Sequence, residues 1–353
     1  MKQIELSKNN VKIIGRTYTK DGVLKAVMSA SGCEFSFTGK KLVIEMGCCE
    51  SALSDGKECN FPRASVLVNG KFIVKKVIGS RKESFTVFES DTVQTVNVKI
   101  IKLSESAFSL LELYPLQTDD DAYTEPLAEK ALKIEFIGDS ITCGYGVDDS
   151  NIVSDFSCCA ENAMKSYAYL TAETLDADYS MFSASGYGII SGYTGDGVRN
   201  SAEVLPPYYE SLGFSYSYID KGLKPQDIKW DFSNFVSDIV VINLGTNDTS
   251  FCRHSQDRVE EFEKSYEAFV CKVRELNPQA VIICTLGLME TLLCPSVKSV
   301  CEKIVSETGD SRLHYLELKC QDGKLGFSSN WHPSEDTHRN ASECVADFIK
   351  TIL

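Results

Sequence analysis

The sequence of 353 residues lacks the hydrophobic segments of membrane-spanning and exported proteins. It contains no run of about 18 apolar residues, the length that a helix needs to cross a bilayer. The first ten residues, MKQIELSKNN, have neither an apolar central region nor a small-residue cleavage site, as a secretory signal would. We therefore expect a cytoplasmic protein without a membrane partner.

Positive charge is also scarce. Lysine and arginine number 36 against 50 aspartates and glutamates, for a net charge of −14. Nucleic acids and anionic membranes require a basic surface, so neither is expected as a partner. A neutral sugar would be indifferent to this charge. No feature of the sequence indicates the oligomeric state.

Metal-binding and disulfide patterns are missing although the chain has 14 cysteines. No C-x-x-C motif occurs, only the doublets Cys48-Cys49 and Cys158-Cys159. Thiols stay reduced in the cytoplasm, so we interpret the cysteines as small buried apolar residues. No metal and no organic cofactor is predicted.

What the first 117 residues do contain is a series of short apolar and β-branched runs. About nine such runs follow one another, with no convincing helix between them, and Asn69-Gly70 separates two of them. Asn-Gly tolerates the positive φ of a type I′ turn and is a strong hairpin signal. Residues 1–117 are therefore predicted to form a β-sandwich, in the form of a jelly roll.

The pattern changes after an acidic segment, TDDDAYTEPLAEKA, which we interpret as a linker over residues 118–131. In residues 132–353, short apolar runs alternate with longer amphipathic stretches. This alternation predicts an α/β domain with a parallel sheet between helices. The predicted strands are 133–138, 178–184, 238–245, 280–287 and 312–318, and the predicted helices are about 160–176, 255–276, 296–308 and 334–352.

Candidate site residues follow the first three of these strands, where reactive groups of α/β proteins collect. Ser140 comes after the first strand, Gly186 after the second and Asn247 after the third. A serine at such a turn can be an exposed nucleophile, and backbone N–H groups and an asparagine amide can stabilise an oxyanion. Each residue also has an ordinary interpretation, as a helix cap, a glycine turn or an Asx turn.

Only four histidines can supply a general base. His314 lies in a predicted strand and His338 in the last predicted helix, where we expect it on the solvated face. His254 has no motif around it. His332 follows the fifth strand just before the last helix, which is the place expected of the base.

Taken together, Gly138-Asp139-Ser140, Gly186, Asn247 and His332 resemble the four sequence blocks of SGNH (GDSL-type) hydrolases, in order. The resemblance spans about residues 132–353. It implies that Ser140 is the nucleophile and His332 the base. It further implies that the Ser140 and Gly186 N–H groups and the Asn247 amide form the oxyanion hole.

The N-terminal half narrows the resemblance to carbohydrate esterase family 2, in which a jelly roll precedes the SGNH domain. Gly15-Arg16-Thr17 and Trp331-His332-Pro333 are also similar to that family. The resemblance implies an acetyl esterase acting on oligosaccharides from acetylated hemicellulose, either mannan or xylan. Trp331 is then a candidate for stacking on a sugar ring or, equally, a packed aromatic that closes its loop.

One position departs from the SGNH pattern, since the family usually has an aspartate two or three residues before the histidine. Here those positions hold Asn330 and Ser329. A backbone carbonyl or the Asn330 side-chain oxygen can accept the Nδ1 proton of His332 in a Ser-His dyad, which we favour. In the alternative, the carboxylate of Glu335 or Asp336 folds back to accept the Nδ1 proton.

Three competing functions remain open from the sequence. The same site can act on another acyl ester, as a lipase, thioesterase or acyltransferase, although no apolar lid segment favours a lipase. The chain can instead be a carbohydrate-binding protein with an inactive hydrolase domain, a hypothesis supported only by the missing aspartate. In the third alternative, Cys143, three residues after Ser140, is the nucleophile, although no motif surrounds it.

Overall fold

The computed structural model describes residues 2–353 and divides them into two units. The first contains the chain up to Lys130 together with Phe156–Ala163 and Ser211–Lys229. The second contains Ala131–Asp155, Met164–Glu210 and Trp230–Leu353. The two inserted segments, which the sequence places in the second domain, therefore belong to the first unit.

The first unit is a β-rich structure of the jelly-roll type, which confirms the predicted class. Its eleven strands pair antiparallel throughout. They are β1 Lys2–Ile4, β2 Lys12–Ile14, β3 Thr17–Lys20, β4 Val23–Ala26, β5 Gly32–Cys48, β6 Arg63–Val68, β7 Lys71–Val77, β8 Glu83–Lys102, β9 Leu111–Leu113, β10 Leu116–Thr118 and β11 Tyr123–Pro126.

Two long strands, β5 and β8, form the frame of this unit. They pair with each other along most of their length, while the other edge of β5 pairs in turn with β2, β11, β10 and β9. The sequence predicts two strands in place of each: the apolar runs CEFSFTG and KLVIEMG for β5, and ESFTVFES and TVNVKIIKLS for β8. The register shifts between Gly39 and Lys41, where residues are inserted in β8, and such an irregularity interrupts the alternation from which a strand is recognised.

The predicted hairpin is present between β6 and β7. Val68 pairs with Lys71, and Asn69 and Gly70 between them have φ angles of 48° and 75°. Both values are those of a type I′ turn, whose twist matches that of the flanking strands. The Asn-Gly prediction is confirmed.

Two elements of the first unit differ from the prediction. The segment 118–131 is not free of strands, because β11 pairs with Phe35–Thr38 of β5. Only Thr124 of β11 is buried, so the strand shows no apolar alternation and exists through backbone pairing with an edge. A short helix, α1 Glu50–Asp55, also occurs in the region predicted to be all-β, and it ends at Gly56 with φ of 69°.

The second unit is built on a parallel sheet of five strands, which confirms the predicted α/β class. The strand order is β13-β12-β14-β15-β16. The strands are β12 Leu132–Gly138, β13 Ala177–Ser183, β14 Ile239–Asn243, β15 Val281–Leu286 and β16 Leu313–Glu317. All five lie near the predicted positions, and the first four are largely buried, as strands covered by helices on both faces require, whereas only Leu313 is buried in the edge strand β16.

Six helices belong to the second unit: α2 Ser140–Cys143, α3 Tyr167–Thr174, α4 Thr246–Cys252, α5 Gln256–Leu276, α6 Cys294–Thr308 and α7 Glu335–Ile352. The last three agree with the prediction to within two residues. The helix predicted over 160–176 begins only at Tyr167, because Ser166 caps it and Phe156–Ala163 belongs to the first unit. Within residues 2–353, no helix is both long enough and apolar enough to span a bilayer.

Candidate active site

Ser140 stands at a sharp turn between β12 and α2. Asp139 caps the helix, its Oδ1 accepting the Ile141 N–H at 3.0 Å. A Cβ at Gly138 would lie 2.1 Å from Thr142 Oγ1, so only glycine permits this turn. The sequence thus places the Ser140 hydroxyl at the carboxyl end of the central strands.

His332 lies against Ser140 although 192 residues separate them. Its Nε2 is 2.8 Å from Ser140 Oγ, and its Nδ1 is 3.1 Å from the Ser329 carbonyl oxygen. A carbonyl can only accept, so Nδ1 carries the proton and Nε2 is left to accept from the serine hydroxyl. This is the arrangement that a base-activated serine requires.

The environment keeps the His332 imidazole neutral. Burial lowers its pKa to about 4, and the backbone hydrogen bonds that favour the charged form offset only part of this effect. At neutral pH the ring is therefore unprotonated and able to take a proton. Among residues 2–353, the group hydrogen-bonded to Nδ1 is the Ser329 carbonyl and not a side-chain carboxylate.

None of the three side chains considered as partners of Nδ1 occupies that position. Glu335 is 2.5 Å from Lys165, and Asp336 is exposed on α7. Asn330 directs its amide elsewhere, because its Nδ2 donates to the Tyr145 hydroxyl at 2.6 Å. The Asn330 side-chain oxygen is therefore not the acceptor, and the backbone alternative is the one observed.

Tyr145 is a site residue that the sequence did not single out. Its ring is stacked on the His332 imidazole, with centroids 4.0 Å apart and planes 22° apart. It lies five residues after Ser140, at the end of α2. In the sequence, the one feature that connects Tyr145 with the site is its short distance from Ser140, and many residues share that feature.

Gly186 and Asn247 come together at the same edge. Gly186 has φ of 83°, a conformation that favours glycine, and follows β13. Asn247, on α4, donates from Nδ2 to the Tyr187 carbonyl at 2.8 Å and more weakly to Asp139 Oδ2 at 3.3 Å. The loop after β13 and the start of α4 are thus joined, and an oxyanion could displace the longer contact.

A buried aspartate that the sequence missed holds this loop. The Asp248 carboxylate accepts the N–H groups of Ile189, Ile190 and Ser191 at 2.8–3.1 Å. Burial nevertheless raises its pKa to about 6. Burial raises the Asp139 pKa to about 7, and the Asp248 charge adds to that shift. Two carboxyl groups that titrate near neutrality therefore lie behind the site.

Trp331 is more than half exposed beside His332. The exposed fraction of its side chain is 54%, and Phe327 meets one side of the ring edge-on with centroids 5.2 Å apart. Its carbonyl accepts from Gln321 Nε2 at 2.7 Å. The ring is therefore anchored yet available to a ligand.

The remaining candidates lie outside this arrangement. Cys143 is fully buried with its sulfur 3.2 Å from Ser183 Oγ, so it is not an accessible nucleophile. His338 is buried rather than on a solvated face, because its Nδ1 accepts the Tyr167 N–H at 3.2 Å. His314 lies in β16 and His254 is exposed between α4 and α5.

In a comparison with known proteins, residues 136–339 match the GDSL-like lipase/acylhydrolase family. The cellulase/esterase CelE of Acetivibrio thermocellus is 35% identical over 230 residues, a match covering 63% of this chain but only 26% of that protein. An acetylxylan esterase/glucomannan deacetylase of Cellvibrio japonicus is 25% identical over 357 residues, covering 99% of this chain and 91% of that protein.

The fold is shared with a solved family two carbohydrate esterase from Clostridium thermocellum, determined in complex with cellohexaose. The TM-score is 0.82 at 25% sequence identity, and the match covers 97% of this chain and 98% of that one. The likeness therefore extends over both units and not only over the parallel sheet.

Proposed function

The chain belongs to the GDSL-like lipase/acylhydrolase family and is similar to family 2 carbohydrate esterases, and on this premise we propose that it is a carbohydrate acetyl esterase. The substrate is an O-acetylated oligosaccharide derived from hemicellulose, of the mannan or xylan type. One observation carries the reaction class: Ser140 Oγ lies 2.8 Å from an imidazole nitrogen whose ring is held in the accepting tautomer.

In the proposed first step, His332 takes the Ser140 proton as Oγ attacks the acetyl carbonyl. The sugar oxygen leaves with the proton from His332, and an acetyl-enzyme remains. Water then attacks the acetyl group, giving its proton to the same imidazole, and acetate leaves as Ser140 is reprotonated. No step calls for a metal or an organic cofactor.

The negative charge that develops on the acetyl oxygen needs donors placed in advance. We assign this role to the N–H groups of Ser140 and Gly186 and to the Asn247 amide. Each comes from the carboxyl end of a different, neighbouring strand. Such fixed donors stabilise an oxyanion without reorganising as the charge forms.

The carbohydrate part of the proposal rests on likeness and on one exposed ring. The relative that matches nearly the whole chain is named an acetylxylan esterase/glucomannan deacetylase, and one solved relative holds cellohexaose. Trp331, half exposed beside His332, offers a flat surface on which a sugar ring can stack. The net charge of −14 is compatible with a neutral substrate.

The test is acetate release from acetylated manno- and xylo-oligosaccharides by the wild type, Ser140→Ala and a matched control, Ser201→Ala, at an exposed position. We expect release by the wild type and the control but none by Ser140→Ala. Cleavage of a simple aryl acetate without release from either oligosaccharide would reject the substrate and leave another acyl ester. Inactivity on every ester would favour the carbohydrate-binding alternative.

A further inference from the structure

The His332 imidazole is flanked by one aromatic ring whose role is not explained by the transfer of a proton between Ser140 and His332. Tyr145 is 7% exposed, and its ring lies nearly parallel to the imidazole at a centroid distance of 4.0 Å. The Asn330 Nδ2 donates to the Tyr145 hydroxyl at 2.6 Å. The base is therefore held on its ring face as well as at Nδ1.

The backbone gives Tyr145 a fixed relation to the nucleophile. Its N–H donates to the Ser140 carbonyl at 3.1 Å, directly after Gly144, which ends α2 with φ of 74°. Any displacement of Tyr145 would therefore strain the turn that carries Ser140. The ring that contacts the base is part of the same short segment as the nucleophile.

The loop that carries the base is packed against this segment too. A Cβ at Gly146, where φ is 58°, would lie only 2.5 Å from the Ser329 Cβ. Ser329 is also held by its N–H to the Asp149 carbonyl at 2.9 Å and by its Oγ to the Ser154 carbonyl at 2.9 Å. The carbonyl that fixes the tautomer is thus anchored through residues that follow Tyr145.

The stacked ring can supply part of what a carboxylate supplies elsewhere. A carboxylate beside a catalytic histidine orients the imidazole and stabilises the imidazolium that forms. A neutral carbonyl at Nδ1 orients the ring but brings no full charge. The face of an aromatic ring packed on the imidazole prevents it from rotating and excludes water on that side.

We propose that Tyr145, anchored through its hydroxyl by Asn330, is the positioning residue that replaces the missing carboxylate of the Ser140–His332 pair. The proposal rests on the proposed function, because it takes Ser140 and His332 as the reacting pair. It gives Asn330 a role different from that expected from the sequence: the amide orients the base through Tyr145 and does not contact the imidazole nitrogen.

Kinetics on an aryl acetate test this assignment. Tyr145→Leu removes the ring and should lower kcat by about 10- to 100-fold with KM changed by less than about twofold. Tyr145→Phe and Asn330→Ala each remove only the anchor and should each lower kcat by several-fold. Their combination should be no slower than the slower single variant, since both break one contact. Asn330→Asp can still bind the Tyr145 hydroxyl, as an acceptor, and should restore the rate.

The matched control is Tyr169→Leu, which removes a buried ring that packs edge-on against Tyr179 in the same unit. It should leave kcat unchanged. Tyr145→Leu should also hydrate the imidazole and raise the His332 pKa from about 4, measured by NMR titration, whereas Tyr169→Leu should not. An unchanged kcat and titration in Tyr145→Leu, or additive effects of Tyr145→Phe and Asn330→Ala, would overturn the proposal.

Failure of the proposed function gives a different result. If the wild type cleaves no ester but a fluorophosphonate labels Ser140, labelling rates of the same variants replace kcat and must follow the same order. If neither reaction occurs, the Ser140–His332 pair is not a reacting pair, and both proposals fail. Slow labelling in Tyr169→Leu equal to that in Tyr145→Leu would also contradict the positioning role.

Discussion

At the scale of single residues, the state of His332 is set by burial and by one carbonyl group. The Ser329 carbonyl selects the tautomer, and desolvation keeps the ring neutral. A neutral ring is ready to act as a base over a wide pH range, but only neutral backbone groups at Nδ1, and no carboxylate, stabilise the positive charge that follows. The pH dependence of the reaction should report this balance directly.

We predict that protonation of His332 lowers kcat/KM on an aryl acetate by about tenfold per pH unit only below about pH 4, beneath any step that Asp248 and Asp139 produce near pH 6 and pH 7. The reason is that burial lowers the His332 pKa to about 4, so the base is lost only when the pH falls through that value. The measurement is a rate profile from pH 3 to pH 8, with circular dichroism at each pH to exclude unfolding. A His332 imidazole that titrates near pH 6.5 by NMR, together with a tenfold-per-unit fall in rate below that pH, would contradict the buried, neutral imidazole.

At the scale of elements, the loop after β13 is held by a carboxylate from α4. Three successive N–H groups, from Ile189 to Ser191, converge on Asp248. The Tyr187 carbonyl in the same loop accepts from the Asn247 amide. The proposed oxyanion donors are the Gly186 N–H in this loop and the Asn247 amide on α4. Their positions therefore depend on the buried contact between Asp248 and the loop.

Gly188→Ala should disrupt this interaction. A Cβ there would lie 2.1 Å from the Ser191 carbonyl oxygen and 2.6 Å from Asp248 Oδ2, so the loop would have to move. We expect a loss of about 1–3 kcal/mol in the free energy of unfolding and a fall in kcat of about tenfold or more. Denaturant titration and aryl acetate kinetics measure the two effects.

Gly195→Ala is the matched control for that variant. Gly195 lies in the same loop, and a Cβ there would meet nothing within 4 Å. Its stability and kcat should remain close to those of the wild type. Equal losses in the two variants would show that the loop is merely sensitive to any alanine, and not to contact with Asp248.

At the scale of the whole molecule, the first unit is not continuous in sequence. Phe156–Ala163 and Ser211–Lys229, which interrupt the α/β unit in sequence, complete the first unit. In the former segment, the Ala163 N–H donates to the Leu103 carbonyl at 2.9 Å, and Glu161 accepts the Glu105 N–H at 2.8 Å. Buried Arg16 donates to the Ser211 carbonyl at 2.5 Å. Groups buried by these segments would lose their partners if the segments were removed.

A fragment of residues 1–131, cut at the end of the segment predicted as a linker, should therefore fold poorly. Each buried polar group left without a partner costs about 1–3 kcal/mol, and a domain has only about 5–15 kcal/mol to lose. We expect a broad, non-cooperative thermal transition and weak near-ultraviolet circular dichroism. A sharp transition at the temperature of the full chain would show that the inserted segments are dispensable.

The cysteines offer a second test on the whole chain. All 14 are free thiols in the structure; four are exposed, namely Cys59, Cys159, Cys271 and Cys344. In native protein purified without reductant, a chromogenic thiol reagent should react rapidly with about four groups, because burial protects the others. In denaturant it should react with all 14. A lower total in denaturant would reveal disulfides.

The sequence by itself determined the architecture and the candidate nucleophile, base and oxyanion donors. Strand and helix periods are local properties of the chain, and polar residues that follow successive parallel strands must meet at one edge of the sheet. Ser140, Gly186, Asn247 and His332 could therefore be found in order, and the Asn69-Gly70 turn could be placed. The full length of irregular strands such as β5, and the existence of edge strands such as β11, were not predicted. Bulges and backbone pairing leave little trace in hydrophobic periodicity.

Only the tertiary structure decided what surrounds the base and where the loops belong. Asn330 and Tyr145 are 185 residues apart, and no periodicity links the amide of one to the hydroxyl of the other. The tertiary structure also decided three other features: the Ser329 carbonyl is the partner of Nδ1, three N–H groups converge on Asp248, and Phe156–Ala163 belongs to the first unit. Each depends on loop conformations set by packing between distant segments, and such contacts are not encoded in any local pattern of residues.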